Sequence, residues 1–247
     1  MTYCIGLRLN KGLVFMSDTR TNAGVDDIAQ VKKLNSWEIP GERVITLLSA
    51  GNLATTQAVI SLLDERSKAP EDRSPSILAA PSMFQIATII GQTLREVVKS
   101  YAEEGQEAKS PFGATLILGG QIKGSEPRLF LIYPEGNFIE AGPDTPFFQS
   151  GETKYGRPIL VRAYDPAMSF EEAIKLMLVS FDSTIRANLA VDLPLDLQVY
   201  ETDSYRIKTQ QRIEADDPYF QQISAGWGNA LRSAFQMLPP FTFAADD

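Results

Sequence analysis

The chain has 247 residues, 44% hydrophobic and 22% charged, and its 23 basic against 31 acidic side chains give a net charge of −8. That composition fits a globular fold large enough to bury a core without a metal or disulfide staple, and its acidic balance argues against nucleic-acid or anionic-membrane partners, which need a cationic surface. There is no histidine and one cysteine, Cys4, which removes Ser-His-Asp and Cys-His nucleophiles, imidazole-held zinc or haem, Cys-cluster metal sites and an internal disulfide.

The first fifty residues read as strands. Tyr3 to Leu9 and Leu13 to Ser17 flank the polar turn Asn10-Lys11-Gly12 and predict a hairpin. Val31 to Ile39 and Arg43 to Ser49 follow, joined by Pro40-Gly41-Glu42. A helix opens after Gly51-Asn52, carries Val59, Leu62 and Leu63, and stops near Lys68 ahead of Ala69-Pro70. A second helix has Ser82 and Gln85 as a capping box and sets Ile86, Ile90, Leu94, Val97 and Tyr101 on one face before Gly105. Gly113 to Gly120, Arg128 to Tyr133 and Phe138 to Ala141 then predict a meander, with Pro134-Glu135-Gly136-Asn137 as its second turn. Ser169 and Glu172 cap a helix over about 169–188. Leu195 to Thr202 and Tyr205 to Ile213 read as a closing hairpin. The last helix starts near Asp217, carries Phe220, Ile223, Trp227, Leu231, Phe235 and Leu238 on one stripe, and ends at Pro239-Pro240. Runs of strands separated by runs of helices predict antiparallel sheets packed face to face with helices outside.

The start, Met1 to Met16, holds Arg8 and Lys11 within its apolar run and lacks a leader pattern, so no signal peptide is expected. The longest apolar stretch, Ala58 to Leu63, falls far short of the roughly 18 residues of a membrane span. With a lone cysteine, a reducing cytoplasmic setting is expected.

Without imidazole, one way to activate a hydroxyl near pH 7 is to place it on the first residue, beside the chain's own amine. Removal of Met1 would give Thr2 a free amine of pKa about 7.7 to 8.0, although many chains begin Met-Thr for no catalytic reason. Asp18-Thr19-Arg20 follows the second strand, and counting back across the hairpin turn brings Asp18 near residues 2 to 4. There Asp18 either caps a turn beside a surface arginine or joins a lysine in a partly buried network that favours a developing alkoxide on Thr2. Strand alternation does not choose between Lys32 and Lys33 for that lysine. Ser49-Ala50-Gly51-Asn52 ends a strand and opens a helix. Such a corner suits a phosphate, a carbonyl oxyanion or close strand-to-helix packing, and no phosphate-binding Gly-rich loop with Lys-Ser/Thr accompanies it.

Thr2, Ser17-Asp18-Thr19-Arg20-Thr21-Asn22-Ala23-Gly24, Lys32-Lys33 before Leu34 and Ser49-Ala50-Gly51 together resemble the proteasome β-type family of N-terminal-nucleophile hydrolases. The likeness continues through Leu118-Gly119-Gly120, Pro127 to Gly136 and Gln149-Ser150-Gly151. Asp182 to Leu189 and Leu193-Pro194-Leu195-Asp196-Leu197 make it most similar to the bacterial Anbu branch. The resemblance implies an α+β four-layer αββα sandwich over 1–247 as a single domain, with a C-terminal hairpin and helix from about 203. It implies a threonine peptidase acting through a Thr2 acyl ester, without cofactor or metal. Thr2 would be nucleophile and its amine the base. Lys33 would lower the hydroxyl pKa, Asp18 would pair with it, Gly51 would supply the oxyanion N–H, and Ser150 would lie near the amine. Two departures stand out. The Asp18-to-Lys33 interval is one residue shorter than in typical β subunits, and the family's later aspartate has only Asn188 as a candidate counterpart. The implied partners are a peptide or unfolded-protein substrate and further copies of the chain in a ring or open helix, for which Trp227 and Phe235 are interface candidates. A small-amide amidohydrolase, or a silent assembly subunit retaining Met1, are the alternatives.

Overall fold

The computed structural model describes residues 2–22, 28–68, 74–104 and 112–243. Met1, Ala23, Gly24, the expected breaker Ala69-Pro70 and the expected terminator Gly105 lie outside the described residues. In chain order the elements are β1 (Tyr3–Leu9), β2 (Gly12–Asp18), β3 (Arg20–Asn22), β4 (Ile28–Gln30), β5 (Leu34–Ile39), β6 (Arg43–Gly51), α1 (Leu53–Lys68) and α2 (Met83–Glu104). They continue as β7 (Ala114–Ile122), β8 (Arg128–Ile132), β9 (Phe138–Glu140), β10 (Phe147–Gly151), α3 (Arg157–Ala163), α4 (Phe170–Ala187), β11 (Leu195–Glu201), β12 (Thr209–Ile213) and α5 (Pro218–Gln236).

Two five-stranded antiparallel sheets form the centre, in the orders β10-β1-β2-β11-β12 and β5-β6-β7-β8-β9. The first is covered by α3 and α4, the second by α1 and α2, giving the αββα sandwich. The strand sequences explain why both faces are covered: β1 and β2 are buried along almost their whole length, because alternate residues serve different layers. Tyr3, Ile5 and Leu7 face α4, whereas Cys4, Leu13 and Phe15 fill the gap between the sheets with Leu48, Ile117 and Leu129. Each such apolar side chain contributes about 1.5–3 kcal/mol relative to exposure.

Several local expectations hold. Ser169 and Glu172 make both bonds of a capping box, the Ser82 hydroxyl accepts the Gln85 N–H, and β7 to β9 form the meander.

Others are corrected. Val31 to Ile39 is not one strand: residues 31–33 leave the ladder, and pairing with β6 begins at Leu34. The closing hairpin uses only Thr209–Ile213 of the second run. The short ribbon of β3 with β4, the strand β10 and the helix α3 were not expected. The stripe on α5 is buried only at its start, by Phe220; Leu231, Phe235 and Leu238 are exposed, and the helix ends at Gln236.

Candidate active site

The hairpin of β1 and β2 sets the first distance. Its register pairs Cys4 with Ser17, so Asp18 reaches the start of β1 and its Oδ1 accepts the Tyr3 N–H at 2.9 Å. The carbonyl of the same Thr2–Tyr3 peptide group accepts the Glu152 N–H at 2.7 Å from just beyond β10. That peptide group is therefore clamped on both sides. Gly151 allows the approach, since a Cβ on it would overlap the Thr2 carbonyl oxygen. Tyr3 holds the clamp from below: its hydroxyl meets Ser180 Oγ at 2.7 Å and accepts from Gln149 Nε2 at 2.5 Å. Its ring lies against Phe181.

Lys33 resolves the ambiguity left by alternation. Its Nζ donates to Asp18 Oδ1 at 2.8 Å and to the Arg20 carbonyl at 2.5 Å, and the residue is 5% exposed, whereas Lys32 is exposed. Residues 31–33 have no ladder partner, so each turns its side chain according to local anchors: the Val31 N–H donates to the Thr19 carbonyl at 2.7 Å and the Ser49 N–H to the Lys33 carbonyl at 3.0 Å. The β3–β4 ribbon pairs Arg20 with Gln30 and so returns the chain towards Asp18. Arg20 itself turns away to Asp192 at 2.7 Å.

Burial pushes the Asp18 carboxyl up to about 6, and the Lys33 ammonium and the Tyr3 N–H pull against that rise. Its second oxygen, Oδ2, is buried with no hydrogen-bond partner among the described residues. The nearby Cys4 thiol is also driven upward by burial and by the Asp18 charge, so it is a packed side chain and not a nucleophile.

Gly51 closes the site from the second sheet. The Ser49 N–H points to Lys33 on the β5 side and the Asn52 N–H to Gly113 on the β7 side, both at ordinary bond lengths. Alternation therefore directs the Gly51 N–H to the β5 side, past the first residue of that strand. Gly51 has φ +123°, and a Cβ there would lie 2.6 Å from the Gly113 carbonyl. Thr2, Lys33, Ser49 and Gly51 line one cavity of about 530 Å3.

Ser150 lies on the other neighbour of β1. It sits in β10 opposite Cys4, and its Oγ reaches the Thr115 carbonyl on β7 at a long 3.5 Å. Asn188, at the C-cap of α4, donates to Glu152 Oε2 at 2.9 Å and so touches the Thr2 clamp through Glu152. Sequence reading missed Glu152, Gly151 and the Tyr3 hydroxyl as parts of this site. For Tyr3 a signal existed, because a tyrosine inside a buried strand must find partners for its hydroxyl.

Comparisons with known proteins bear on the family and the fold. The family model described as proteasome subunit matches residues 2–191. Among solved structures, a Gly-1 mutant of Anbu from Hyphomicrobium sp. strain MC1 is 52% identical with a TM-score of 0.90, over 98% of this chain and 100% of that one. The chain belongs to the proteasome subunit family, in its Anbu branch. A helical assembly of the Anbu complex from Pseudomonas aeruginosa is 44% identical, TM-score 0.91, over 99% of this chain and 100% of that one. A curated relative, proteasome subunit beta 2 of Nitrosopumilus maritimus, is 22% identical over 87% of this chain and 92% of its own length.

Proposed function

We propose that this proteasome-type subunit is a threonine peptidase whose nucleophile is Thr2 after removal of Met1. The observation that carries the reading is the buried Lys33–Asp18 pair at 2.8 Å beside a cavity that Thr2 shares with Gly51. A catalytic role explains a cation held nearly out of water at a cavity that a threonine also lines better than a stabilising one does, since a buried ion pair adds little to stability on its own.

In this mechanism the Thr2 amine takes the Oγ proton, and Oγ bonds to the carbonyl carbon of a peptide. The Lys33 ammonium favours the alkoxide as it forms, and the Gly51 N–H receives the carbonyl oxygen as it becomes negative. The C–N bond breaks, the departing amine takes the proton from the Thr2 ammonium, and an ester to Thr2 remains. Water, deprotonated by the same amine, attacks the ester; the acyl C–Oγ bond breaks, the Thr2 ammonium returns its proton to Oγ, and the acid is freed. Asp18 keeps Lys33 charged against desolvation and fixes the Tyr3 N–H. Ser150 and Asn188 support the amine's surroundings through β10 and Glu152. No cofactor or metal is required.

The subunit works in a cytoplasmic homo-oligomer, open and helical as in the Pseudomonas relative, with peptides or unfolded chains as substrate. The exposed apolar stripe of α5 supports self-association. No described helix is long and apolar enough to cross a membrane. Intact mass followed by treatment with a peptidyl epoxyketone tests the reading. A chain lacking Met1 that gains one probe mass, beside a Thr2→Ala chain that gains none, supports it. A chain that retains Met1 and stays unlabelled is instead a silent assembly subunit.

A further inference from the structure

The cavity beside Thr2 is unlike the rest of this acidic protein. Its polar lining includes Lys32, Asn35 and Gln57, its apolar lining Val31, Leu53 and Ile60, and neither Asp nor Glu takes part in it among the described residues. Lys33 also lines it, but the charge of that residue is already matched by Asp18. Lys32 is different. It is exposed at the cavity and makes no ion pair among the described residues. In a chain carrying a net charge of −8, the recess that Thr2 lines thus counts among its lining an exposed lysine without an ion pair among the described residues, with amides able to donate hydrogen bonds alongside.

We propose that this cavity takes an acidic side chain, glutamate or aspartate, on the acyl side of the bond presented to Thr2, and that Lys32 is the specificity-determining residue. The proposal rests on the reading of Thr2 as nucleophile for the direction in which substrate lies. The methylenes of a glutamate find Val31, Leu53 and Ile60, and its carboxylate finds the ammonium of Lys32. A lysine or arginine in the same place sets cation against cation with no carboxylate among the described lining residues to receive it. A leucine gains the apolar contacts but leaves the amides and Lys32 to water. A hydrogen bond to a charged group in a partly desolvated recess gives discrimination of about tenfold or more.

The test uses the full-length chain and peptidyl epoxyketones that differ only in the residue entering the cavity: Glu, Gln, Leu or Lys. The expected order of labelling rate is Glu first, by about tenfold over Gln, with Lys last. Lys32→Met should level Glu with Gln, and Lys32→Glu should place the Lys probe above the Glu probe. Leu labelling fastest, or an order unmoved by Lys32→Glu, overturns the proposal while leaving Thr2 as nucleophile. A second measurement separates the two claims: fluorescence anisotropy of the matching uncleaved peptides on the Thr2→Ala chain. If no probe labels the native chain but Glu peptides bind more tightly than Lys peptides and Lys32→Glu reverses this, the catalytic reading falls and the cavity assignment stands. If neither labelling nor binding distinguishes the four residues, the assignment falls too.

Discussion

Lys33 and Asp18 lie 15 residues apart in sequence, yet meet at 2.8 Å with side chains only 6% and 0% exposed. The Asp18 oxygen that holds the lysine also holds the Tyr3 N–H, so a single carboxylate fixes both the cation and the peptide group that follows Thr2.

Removing either partner should therefore act on stability and activity together. Lys33→Ala leaves a buried carboxylate uncompensated and should cost about 3–5 kcal/mol of stability, with the rate of Thr2 labelling falling by about 100-fold or more. Asp18→Asn keeps the shape and one acceptor for Tyr3, so its stability loss should be smaller, while labelling still falls because Lys33 loses its counter-charge. Thermal unfolding beside epoxyketone labelling checks the pair; an active Lys33→Ala chain contradicts the assignment.

The pH dependence of the pair has opposite signs for folding and for catalysis. Burial raises Asp18 to about 6, above its unfolded value near 3.9. Protonation therefore favours the native state: the stability this group contributes is complete below about pH 4 and is lost as pH rises through about 6. The proposed mechanism needs the ionised carboxylate. With an amine of pKa about 7.7 to 8.0 as base, kcat/KM should fall with a slope of one below pH 8 and steepen below about pH 6. In Asp18→Asn the second break should vanish. A single slope down to pH 5 in the native chain would contradict the role given to Asp18.

Gly51 carries a backbone requirement as well as the proposed oxyanion N–H. A Cβ there would lie 2.6 Å from the Gly113 carbonyl at φ +123°, so Gly51→Ala should cost about 1–3 kcal/mol. The forced shift should also misdirect the N–H. The expected kinetic result is a kcat reduced by about 100-fold or more with KM little changed, read on any fluorogenic peptide the native chain cleaves.

Much of this site could be read from the amino-acid sequence because a tight hairpin has few registers: the two-residue turn Asn10-Lys11, with Gly12 already paired to Leu9, fixes Asp18 beside Tyr3. The choice between Lys32 and Lys33 could not be read, since alternation only applies inside a ladder and residues 31–33 lie outside one. The β10 strand escaped for another reason. Phe147–Gly151 pairs with β1, more than a hundred residues away in the chain, and five residues carry too little periodicity to declare that pairing. The seven residues of α3 resemble a strand in their Ile159-Leu160-Val161 run, bury only Leu160 and have no side-chain cap.

The stripe on α5 was expected as periodicity, but periodicity does not say what covers it. Phe235 is 76% exposed although it continues the face that buries Phe220. If that face joins copies of the chain, Phe235→Glu should shift the sedimentation coefficient towards the single subunit while leaving the unfolding temperature within a few degrees. An unchanged assembly would place the contact elsewhere.

The most direct measurement is tandem mass spectrometry of the epoxyketone-treated chain, with reductive dimethylation to report free amines. The account predicts an N-terminal peptide beginning at Thr2, carrying the probe, whose amine takes at most one methyl group and never two, because its nitrogen is already bonded to the probe. Probe found on any other residue, or a trimmed chain whose Thr2 amine methylates fully after treatment, contradicts it.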